Sequence, residues 1–195
     1  MIENVAMVYR SGGDYDLEYV RRLARSIRKF SNDNVKIHCI SDIKDVQTIC
    51  RYIPFSTDYK GWWSKLELFN HFDNCLYFDL DTVIRGDISP LLQHNYSRFT
   101  MLEDFYSKGC PASGIMAWKG DYSHIPVGFE NKYDGDYRRS GKWGDQGWIT
   151  ERVENPNFFQ NLFPNKIASY KLNYNTADII CFHGKPRPRD VGWKV

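Results

Sequence analysis

The sequence lacks the features of a membrane-spanning or disulfide-stapled protein. No apolar run approaches the roughly 18 residues that a transmembrane helix needs. The first residues, Met1 to Val5, contain no basic segment followed by an apolar one, so we expect no signal peptide. The 5 cysteines form no Cys-x-x-Cys pair, and an odd number cannot all pair with one another. We therefore expect reduced thiols and a cytoplasmic protein.

The charge balance also excludes a class of partner. The 26 Lys and Arg residues against 24 Asp and Glu leave a net charge of +2, whereas a nucleic-acid-binding domain is usually far more basic. We expect no nucleic-acid partner. Aromatic residues, in contrast, make up 16% of the 195 residues. That enrichment suits flat, polar-edged ligands such as sugars and bases, and a well-filled core explains it equally well.

The first 80 residues alternate between strand-like and helix-like patterns. Short apolar runs predict strands over residues 4–9, 35–40 and 75–78, and helical spacing predicts helices over residues 17–30 and 62–72. Strands that alternate with helices predict a parallel α/β sheet with right-handed crossovers. Ligands of such sheets bind beyond the carboxyl ends of the strands.

The helix over residues 17–30 is amphipathic, with Asp14 or Asp16 as its expected N-terminal cap. Its apolar positions recur at steps of three and four: Leu17, Val20, Leu23, Ile27 and Phe30. Basic residues occupy the opposite face: Arg21, Arg22, Arg25, Arg28 and Lys29. A phosphate-binding patch and a solvated helix face both explain these cations, and we favour the solvated face.

The second half of the chain is less regular. It contains strand candidates over residues 99–103, 114–118 and 177–182, a helix candidate over residues 144–153, a loop or broken helices over residues 120–143, and a basic extended tail over residues 185–195. We predict one mixed α/β domain over residues 1–195, with a nucleotide-binding half over about 1–85 and an acceptor side with a closing C-terminal segment over about 86–195.

Two acidic residues directly follow the apolar run at residues 75–78. Asp79 and Asp81 flank Leu80, and side chains two residues apart on an extended backbone point the same way. Both carboxylates can therefore face one hard cation such as Mg²⁺, Mn²⁺ or Ca²⁺. The triplet alone is weak evidence, because it arises often by chance on solvated turns. Its place at the end of a strand strengthens the case.

A histidine ends the late strand candidate. His183 is followed by Gly184, which permits close backbone approach, and by Lys185, which adds a positive charge. Imidazole as a third ligand favours Mn²⁺ over Mg²⁺. A metal and an ammonium group together can neutralise a leaving diphosphate. Taken alone, a single histidine is more often a hydrogen-bonded structural residue.

Three weaker signals complete the set. Lys65 lies in the predicted helix before the acidic strand, where an ordinary amphipathic helix is the simpler interpretation. Asp145 and Gln146 form a polar pair bracketed by glycines, and Ser113 with Gly114 precedes a strand candidate. Each of these signals is individually close to chance.

Their order along the chain is more specific than any one of them. The segments YFDLDTVI, ASGIMAW, GDQGWI and FHGKPRP follow one another between residues 77 and 188. The series resembles the nucleotide-sugar glycosyltransferases of the GT-A fold, and most closely family 8, which includes glycogenin and the bacterial galactosyltransferases of lipopolysaccharide. The resemblance covers roughly residues 4–186. It departs in having Ala112 where the family usually has Asn, and in a shorter chain.

The resemblance implies a GT-A (Rossmann-like) fold and a role for each motif. Asp79, Asp81 and His183 would bind Mn²⁺, or alternatively Mg²⁺. The donor, a nucleoside-diphosphate sugar with UDP favoured, would be held along its length by Val8, Tyr9, Arg10, Asp42, Lys65, Leu80, Ser113, Gly114, Gly184 and Lys185. Asp145 and Gln146 would lie near the reacting carbon. The acceptor would be a glycan or glycoprotein. Compact transferases of this kind also occur in bacteria and in large viruses. For a viral protein, the site of action would be the host cytoplasm.

The resemblance also implies that the sugar is transferred with retention of configuration. An inverting enzyme needs a carboxylate base near the acceptor hydroxyl, whereas in a retaining one the departing phosphate can take that proton. Asp145 and Gln146 would then orient the substrate and stabilise positive charge at the anomeric carbon. Glu103 or Asp104 remains an alternative as an inverting base.

Two other functions fit parts of the sequence. The stretch Phe78 to Val83 also matches the haloacid-dehalogenase phosphatase signature, with Asp79 as nucleophile and Mg²⁺ as cofactor. That family places the motif on its first strand and gives His183 no role. A non-catalytic carbohydrate-binding module is supported only by the aromatic content.

Overall fold

The computed structural model describes residues 1–31, 34–132, 144–172 and 174–193. In the described part, strands form one large and one small sheet with helices packed around them. The mixed α/β prediction is confirmed, because the large sheet contains both parallel and antiparallel pairs. None of the described helices is long and apolar enough to cross a membrane.

The large sheet has seven strands in the order β3-β2-β1-β4-β7-β6-β8. The strands are β1 (Asn4–Tyr9), β2 (Lys36–Ser41), β3 (Arg51–Pro54), β4 (Asn74–Phe78), β6 (Thr100–Glu103), β7 (Pro111–Lys119) and β8 (Asn157–Phe158), with β5 (Thr82–Ile84) between β4 and β6 in the chain. Strands β3, β2, β1 and β4 run parallel, so their carboxyl ends meet at one edge. Strand β7 is antiparallel to β4 and to β6.

The small sheet lies beyond the acidic triplet. It consists of β5, β10 (Ile179–Cys181) and β9 (Ile167–Ser169), with β10 in the middle. Because β5 begins directly after Asp81 and β10 is antiparallel to it, Thr82 pairs with Cys181. This pairing brings the segment that follows Cys181 back to the acidic triplet.

Helix α1 (Leu17–Phe30) covers one face of the large sheet. Asp16 is its N-terminal cap and accepts a hydrogen bond from the Glu18 amide at 3.0 Å, as one of the two sequence candidates predicted. The apolar face is buried and the arginine face is mostly exposed, as predicted. The remaining helices are α2 (Leu68–His71), α3 (Ser89–Gln93), α4 (Gly144–Thr150) and α5 (Phe159–Leu162).

Both faces of the sheet are buried, which explains the nearly continuous apolar runs in β1 and β4. Successive side chains of a strand point to opposite faces. Val5 and Met7 accordingly pack with α1 in one apolar cluster, whereas Ala6 packs in a second cluster on the other face with Trp63 and Trp118.

The main difference from the predicted elements is the segment 62–72. It forms a 3₁₀ helix over Gly61–Glu67 that continues into the short helix α2. Trp63 to Phe69 are all buried, so this segment lacks the one-sided burial of an amphipathic α-helix. The tail also differs from the predicted extended conformation, because Pro188–Val191 form a 3₁₀ helix. Residues 133–143 of the predicted loop, and Lys194, lie outside the described residues.

Candidate active site

A buried cluster joins four separate segments at the carboxyl edge of β4. The ammonium group of Lys65 lies 3.0 Å from Oδ1 of Asp79 and 2.8 Å from Oδ2 of Asp145. Ser113 donates its hydroxyl to Asp145 at 2.7 Å. The Asp79 amide donates to the Gly114 carbonyl at 2.8 Å, which fixes the end of β4 against β7. Five of the sequence candidates therefore meet at one point: Lys65, Asp79, Ser113, Gly114 and Asp145.

The electrostatics of the cluster keep Lys65 charged. Burial disfavours its ammonium form, but Asp145 and Asp79 outweigh that effect and raise the pKa of Lys65. Burial raises the pKa of Asp79, opposed by Lys65 and reinforced by Asp145. Lys65 was expected to hold a diphosphate. The structure instead places its ammonium group between two carboxylates, with the side chain only 7% exposed.

Asp81 faces a different set of partners. Its Oδ2 accepts a hydrogen bond from the Tyr15 hydroxyl at 2.8 Å and pairs with the guanidinium of Arg187. Arg187 also reaches Oδ2 of Asp14 at 3.2 Å and lies over the Tyr15 ring. Burial and the neighbouring Asp79 raise the pKa of Asp81 to about 7. The second carboxylate of the triplet is thus poorly compensated despite its Arg187 partner.

His183 follows β10, and the pairing of β10 with β5 brings this segment back towards the two carboxylates. The His183 side chain, however, contacts other residues. Its Nε2 is 2.7 Å from the Ser169 hydroxyl, and its ring stacks on Phe105. Burial and then Lys171 lower its pKa, so the imidazole is held in the neutral form that ligates metals. Within the described ranges, no three His, Cys, Asp or Glu side chains stand close enough together to hold a metal ion.

The carboxylates nonetheless have the chemistry of a hard-cation site. Oδ1 of Asp79 accepts a hydrogen bond from the Tyr77 hydroxyl and faces Lys65, and Oδ2 of Asp81 faces Tyr15 and Arg187. The second oxygen of each carboxylate accepts no hydrogen bond from the described residues, and burial, followed by the neighbouring Asp79, raises the pKa of Asp81. Oxygen donors of this kind fit Mg²⁺ or Mn²⁺. The donor set fits a divalent cation, and Arg187 would have to move from Asp81 to admit one.

A smaller pocket opens at the carboxyl ends of β1 and β2. It has a volume of about 310 Å³ and is bordered by Arg10, Asp42, Phe55 and Thr57. Asp42 accepts hydrogen bonds from the amide and the hydroxyl of Ser11, at 2.9 and 2.7 Å. These bonds lower the pKa of Asp42 in spite of the opposing effect of burial.

Arg10 is held in that pocket by three neighbours. Its guanidinium donates to the Ser64 hydroxyl and to the Thr57 carbonyl, both at 2.9 Å, and lies 3.8 Å from the centre of the Phe55 ring. Tyr9 is buried beside it, and Val8 is half-buried against the core. The first strand end therefore contributes Arg10 to the pocket, whereas Val8 and Tyr9 contribute mainly packing.

The start of α4 requires glycine. Gly144 has a φ of +61°, and a Cβ atom there would lie 2.8 Å from Nε1 of Trp62. Helix α4 begins at Gly144, so its first turn carries the buried Asp145 and the half-buried Gln146. Gly114 also approaches the site, because a Cβ there would lie 3.5 Å from Oδ2 of Asp79.

The C-terminal segment contributes a residue that the sequence analysis missed. Gly184 and Lys185 are both exposed. Arg187, two residues later, makes the contacts with Asp81 and Asp14, and its buried Nε has no hydrogen-bond partner in the described part of the chain. The alternation of basic residues with proline in Lys185 to Pro188 was the available signal. Tyr15 and Ser169 were missed as well, and neither belongs to a recognisable motif.

The two alternative acids are engaged locally. Oε1 of Glu103 accepts a hydrogen bond from the Gly109 amide at 2.8 Å. Asp104 accepts from the Tyr106 and Ser107 amides, both at 2.8 Å. Both carboxylates therefore stabilise the turn that follows β6.

No sequence-family model matches the chain, and no curated protein matches it in sequence. Solved structures do match. The galactosyltransferase LgtC, crystallised with donor and acceptor sugar analogs, gives a TM-score of 0.69 at 10% identity, over 95% of this chain and 88% of that one. The fold is that of a GT-A glycosyltransferase.

Two further structures agree on this fold. The glycosyltransferase GlyE of Streptococcus pneumoniae gives a TM-score of 0.68 at 11% identity over 95% of this chain, which spans only 56% of GlyE. Mouse xyloside xylosyltransferase 1 gives 0.54 at 13% identity, over 93% of this chain and 97% of that one. The GT-A prediction from the order of the motifs is confirmed at the level of the fold.

Proposed function

We propose that this protein is a glycosyltransferase that moves a hexose-type sugar from a nucleoside-diphosphate sugar, with UDP favoured, to a glycan or glycoprotein acceptor. The observation that carries the proposal is the cluster of Lys65, Asp79, Asp145 and Ser113. It stands at the carboxyl edge of the parallel strands, where ligands of such sheets bind, in a chain with a glycosyltransferase fold.

The donor would lie along the carboxyl edge. Its base and ribose fit the pocket beside Asp42 and Arg10, where a carboxylate can accept hydrogen bonds from ribose hydroxyls. Its diphosphate would lie between that pocket and Asp81, within reach of the Arg187 guanidinium. The unpaired buried Nε of Arg187 supports this, since guanidinium groups bind phosphate in a fork geometry. Lys185 would add charge from the exposed side.

Asp79 and Asp81 would hold a divalent cation, Mn²⁺ or alternatively Mg²⁺, and His183 would be the third ligand. When bound there, the cation would neutralise the charge of the leaving diphosphate. The lowered pKa of His183 favours its neutral form. In the proposal, the His183 side chain leaves Ser169 and rotates towards the two carboxylates. Arg187 would exchange its contact with Asp81 for one with the diphosphate.

Asp145 would act on the sugar. Lys65 and Ser113 both bind its Oδ2, so the carboxylate is fixed in orientation beside a cation. In that position it would stabilise positive charge at the anomeric carbon as the bond to the diphosphate breaks. The Gln146 amide would hydrogen-bond sugar hydroxyls. The acceptor oxygen would bond to the anomeric carbon on the face from which the diphosphate leaves, and its proton would pass to the departing phosphate, so the configuration would be retained.

The proposal is tested with a panel of nucleotide sugars in the presence of Mn²⁺, by following release of the nucleoside diphosphate chromatographically. We expect slow hydrolysis of one donor, and its loss in Asp145→Asn with donor binding retained. Asp121→Asn is a matched control, because Asp121 is an exposed carboxylate that binds only its local turn. A panel without any hydrolysis or transfer would contradict the proposal.

The same preparation separates the alternative functions. Release of phosphate from simple monoesters, with its loss in Asp79→Asn, would favour a dehalogenase-type phosphatase. Binding of glycans without turnover of any donor would favour a carbohydrate-binding module. Proton NMR of the first-formed product tests retention, because a product with the opposite anomeric configuration to the donor would require an inverting base.

The proposal also includes the organisation of the domain and the compartment in which the protein acts. Residues 1–85 would form the nucleotide-binding half, and residues 86–195 the acceptor side with the closing C-terminal segment. We also propose action in the cytoplasm, or in the host cytoplasm for a viral protein. All five cysteines are free thiols in the structure, in keeping with a reducing compartment.

A further inference from the structure

An open groove lies at the opposite end of the large sheet from the candidate active site. Its volume is about 880 Å³. Lys36 is the first residue of β2, Arg51 is the first residue of β3, and Arg28 is in the last turn of α1, and all three border the groove. Its remaining walls are formed by Ser31, Asn34, Val35, Ile37, Gln47, Cys50 and Tyr52. No described carboxylate borders the groove.

The three cations are only partly compensated. Lys36 lies 3.3 Å from Glu3, but both side chains are about half exposed or more, and such pairs contribute little. Arg28 donates a hydrogen bond to the Ile49 carbonyl, a neutral acceptor. Arg51 is exposed and forms no ion pair with a described residue. The net positive charge of the groove therefore remains available to a ligand.

Two titratable side chains respond to these cations: Cys50, which borders the groove, and His38, which lies on β2 but is not part of the groove lining. Burial, and then Arg51 and Lys36, lower the pKa of His38 to about 4. A hydrogen bond from Cys39 lowers the pKa of the Cys50 thiol, and Arg28 lowers it further, against the opposing effect of burial. Arg28 thus acts on a thiol that borders the groove, whereas Arg51 and Lys36 act on His38, two residues further along β2 than Lys36.

We propose that this groove binds a phosphorylated small molecule that carries two or more negative charges. Two arginines and a lysine border the groove from three elements, and guanidinium forks suit phosphate oxygens. Asn34 and Gln47 offer further hydrogen-bond donors, and the volume lies within the range of small-molecule sites.

Simpler roles account for single cations but not for their convergence. A basic residue on an edge strand such as β3 hinders edge-to-edge aggregation. A basic residue in the last turn of α1 favourably meets the helix dipole. Neither role requires the three side chains to border one concave surface on which no described carboxylate lies. The site is distinct from the proposed donor site, although Tyr52 borders both this groove and the smaller pocket beside Asp42.

Cys50 provides a local reporter for the test, because it borders the groove, whereas the exposed Cys110 lies in the turn between β6 and β7. Alkylation of both thiols by iodoacetamide is followed by peptide mass spectrometry with and without inorganic pyrophosphate. We expect pyrophosphate to slow alkylation of Cys50 at least several-fold and to leave Cys110 unchanged. Sodium chloride at equal ionic strength should protect neither thiol.

Variants then locate the protection. Arg51→Gln and Lys36→Gln should each reduce it, and the double variant should abolish it, whereas Lys119→Gln, which removes an exposed cation at the end of β7, should not. Protection must persist in Arg187→Gln, which weakens the proposed donor site. Equal protection of Cys110, loss of protection in Arg187→Gln, or no protection in a folded wild-type protein would overturn the proposal. So would protection by a long polyanion such as heparin but not by pyrophosphate.

Discussion

At the scale of single residues, Lys65 is the cation on which the buried acidic cluster depends. We expect Lys65→Met to lower the free energy of unfolding by about 3 kcal/mol or more, because it leaves Asp79 and Asp145 buried without their partner. Urea denaturation measures this change. Lys185→Met is the matched control, since it removes an exposed ammonium group and should change stability by less than about 0.5 kcal/mol. Equal stability of the two variants would show that the cluster does not need its cation.

Arg187 was not predicted as a site residue from the sequence, and the structure shows its contacts with Asp81 and Asp14. We expect Arg187→Gln to weaken binding of UDP about ten-fold or more and binding of uridine little, since a charge-assisted contact to phosphate contributes about 1.5–3 kcal/mol. Lys185→Gln should show the same pattern with a smaller effect, because its ammonium group is exposed. Calorimetric titration of both ligands measures the difference. Equal losses for UDP and uridine would indicate that Arg187 acts only on the fold.

His38 gives the protein a pH-dependent term in its stability. Its pKa in the folded state is about 4, below the ordinary value of 6.5, because of burial and then Arg51 and Lys36. Above pH 6.5 the ring is neutral in both states. As the pH falls from 6.5 towards 4, the unfolded chain binds a proton that the folded protein excludes, so stability decreases.

The variant His38→Gln tests that term and keeps a polar partner for Oδ1 of Asn4, which lies 3.1 Å from the ring. Urea denaturation at pH 7.5, 6.5 and 5.5 should give a smaller loss of stability on acidification for the variant than for the wild type. Parallel pH profiles would contradict the assignment.

At the scale of elements, the start of α4 depends on the left-handed backbone of Gly144. We expect Gly144→Ala to cost about 1–2 kcal/mol of stability for the backbone conformation alone and also to abolish donor hydrolysis. The added Cβ would displace Trp62 or the first turn that carries Asp145. Gly128→Ala is the matched control, because Gly128 has a φ of +81° and open space around it. Hydrolysis assays and urea denaturation of both variants separate the two effects.

Elements with one strong pattern were predictable from the sequence. Helix α1 has the 3.6-residue spacing, and β1, β2 and β4 are compact apolar runs, so all four were located within about two residues. Strands β5, β8 and β9 have two or three residues each, which is too short for any periodicity. The segment 62–72 was misassigned as a helix with one buried face, because apolar spacing does not distinguish it from a segment that is buried all round.

At the scale of the whole molecule, the candidate site was predictable where residues follow strand ends. Asp79 and Asp81 follow β4, and the rule for carboxyl edges places them beside Arg10 and Asp42. Lys65 was also singled out, but its burial between two carboxylates depends on packing across four segments, which no local pattern encodes. The contacts of Arg187 were missed for the same reason, since they depend on the path of the C-terminal segment.

That path has a consequence for the order in which the working protein arises. Arg187 meets Asp81 across 106 residues and Asp14 across 173 residues of chain. The β1–α1–β2 unit can form early from local contacts, whereas closing such long loops costs chain entropy and comes late. On a ribosome, which makes the chain from its N-terminus, the pocket beside Asp42 can take shape long before residue 187 emerges. With the donor site proposed above, a nascent chain would therefore bind a nucleoside before it could bind a diphosphate.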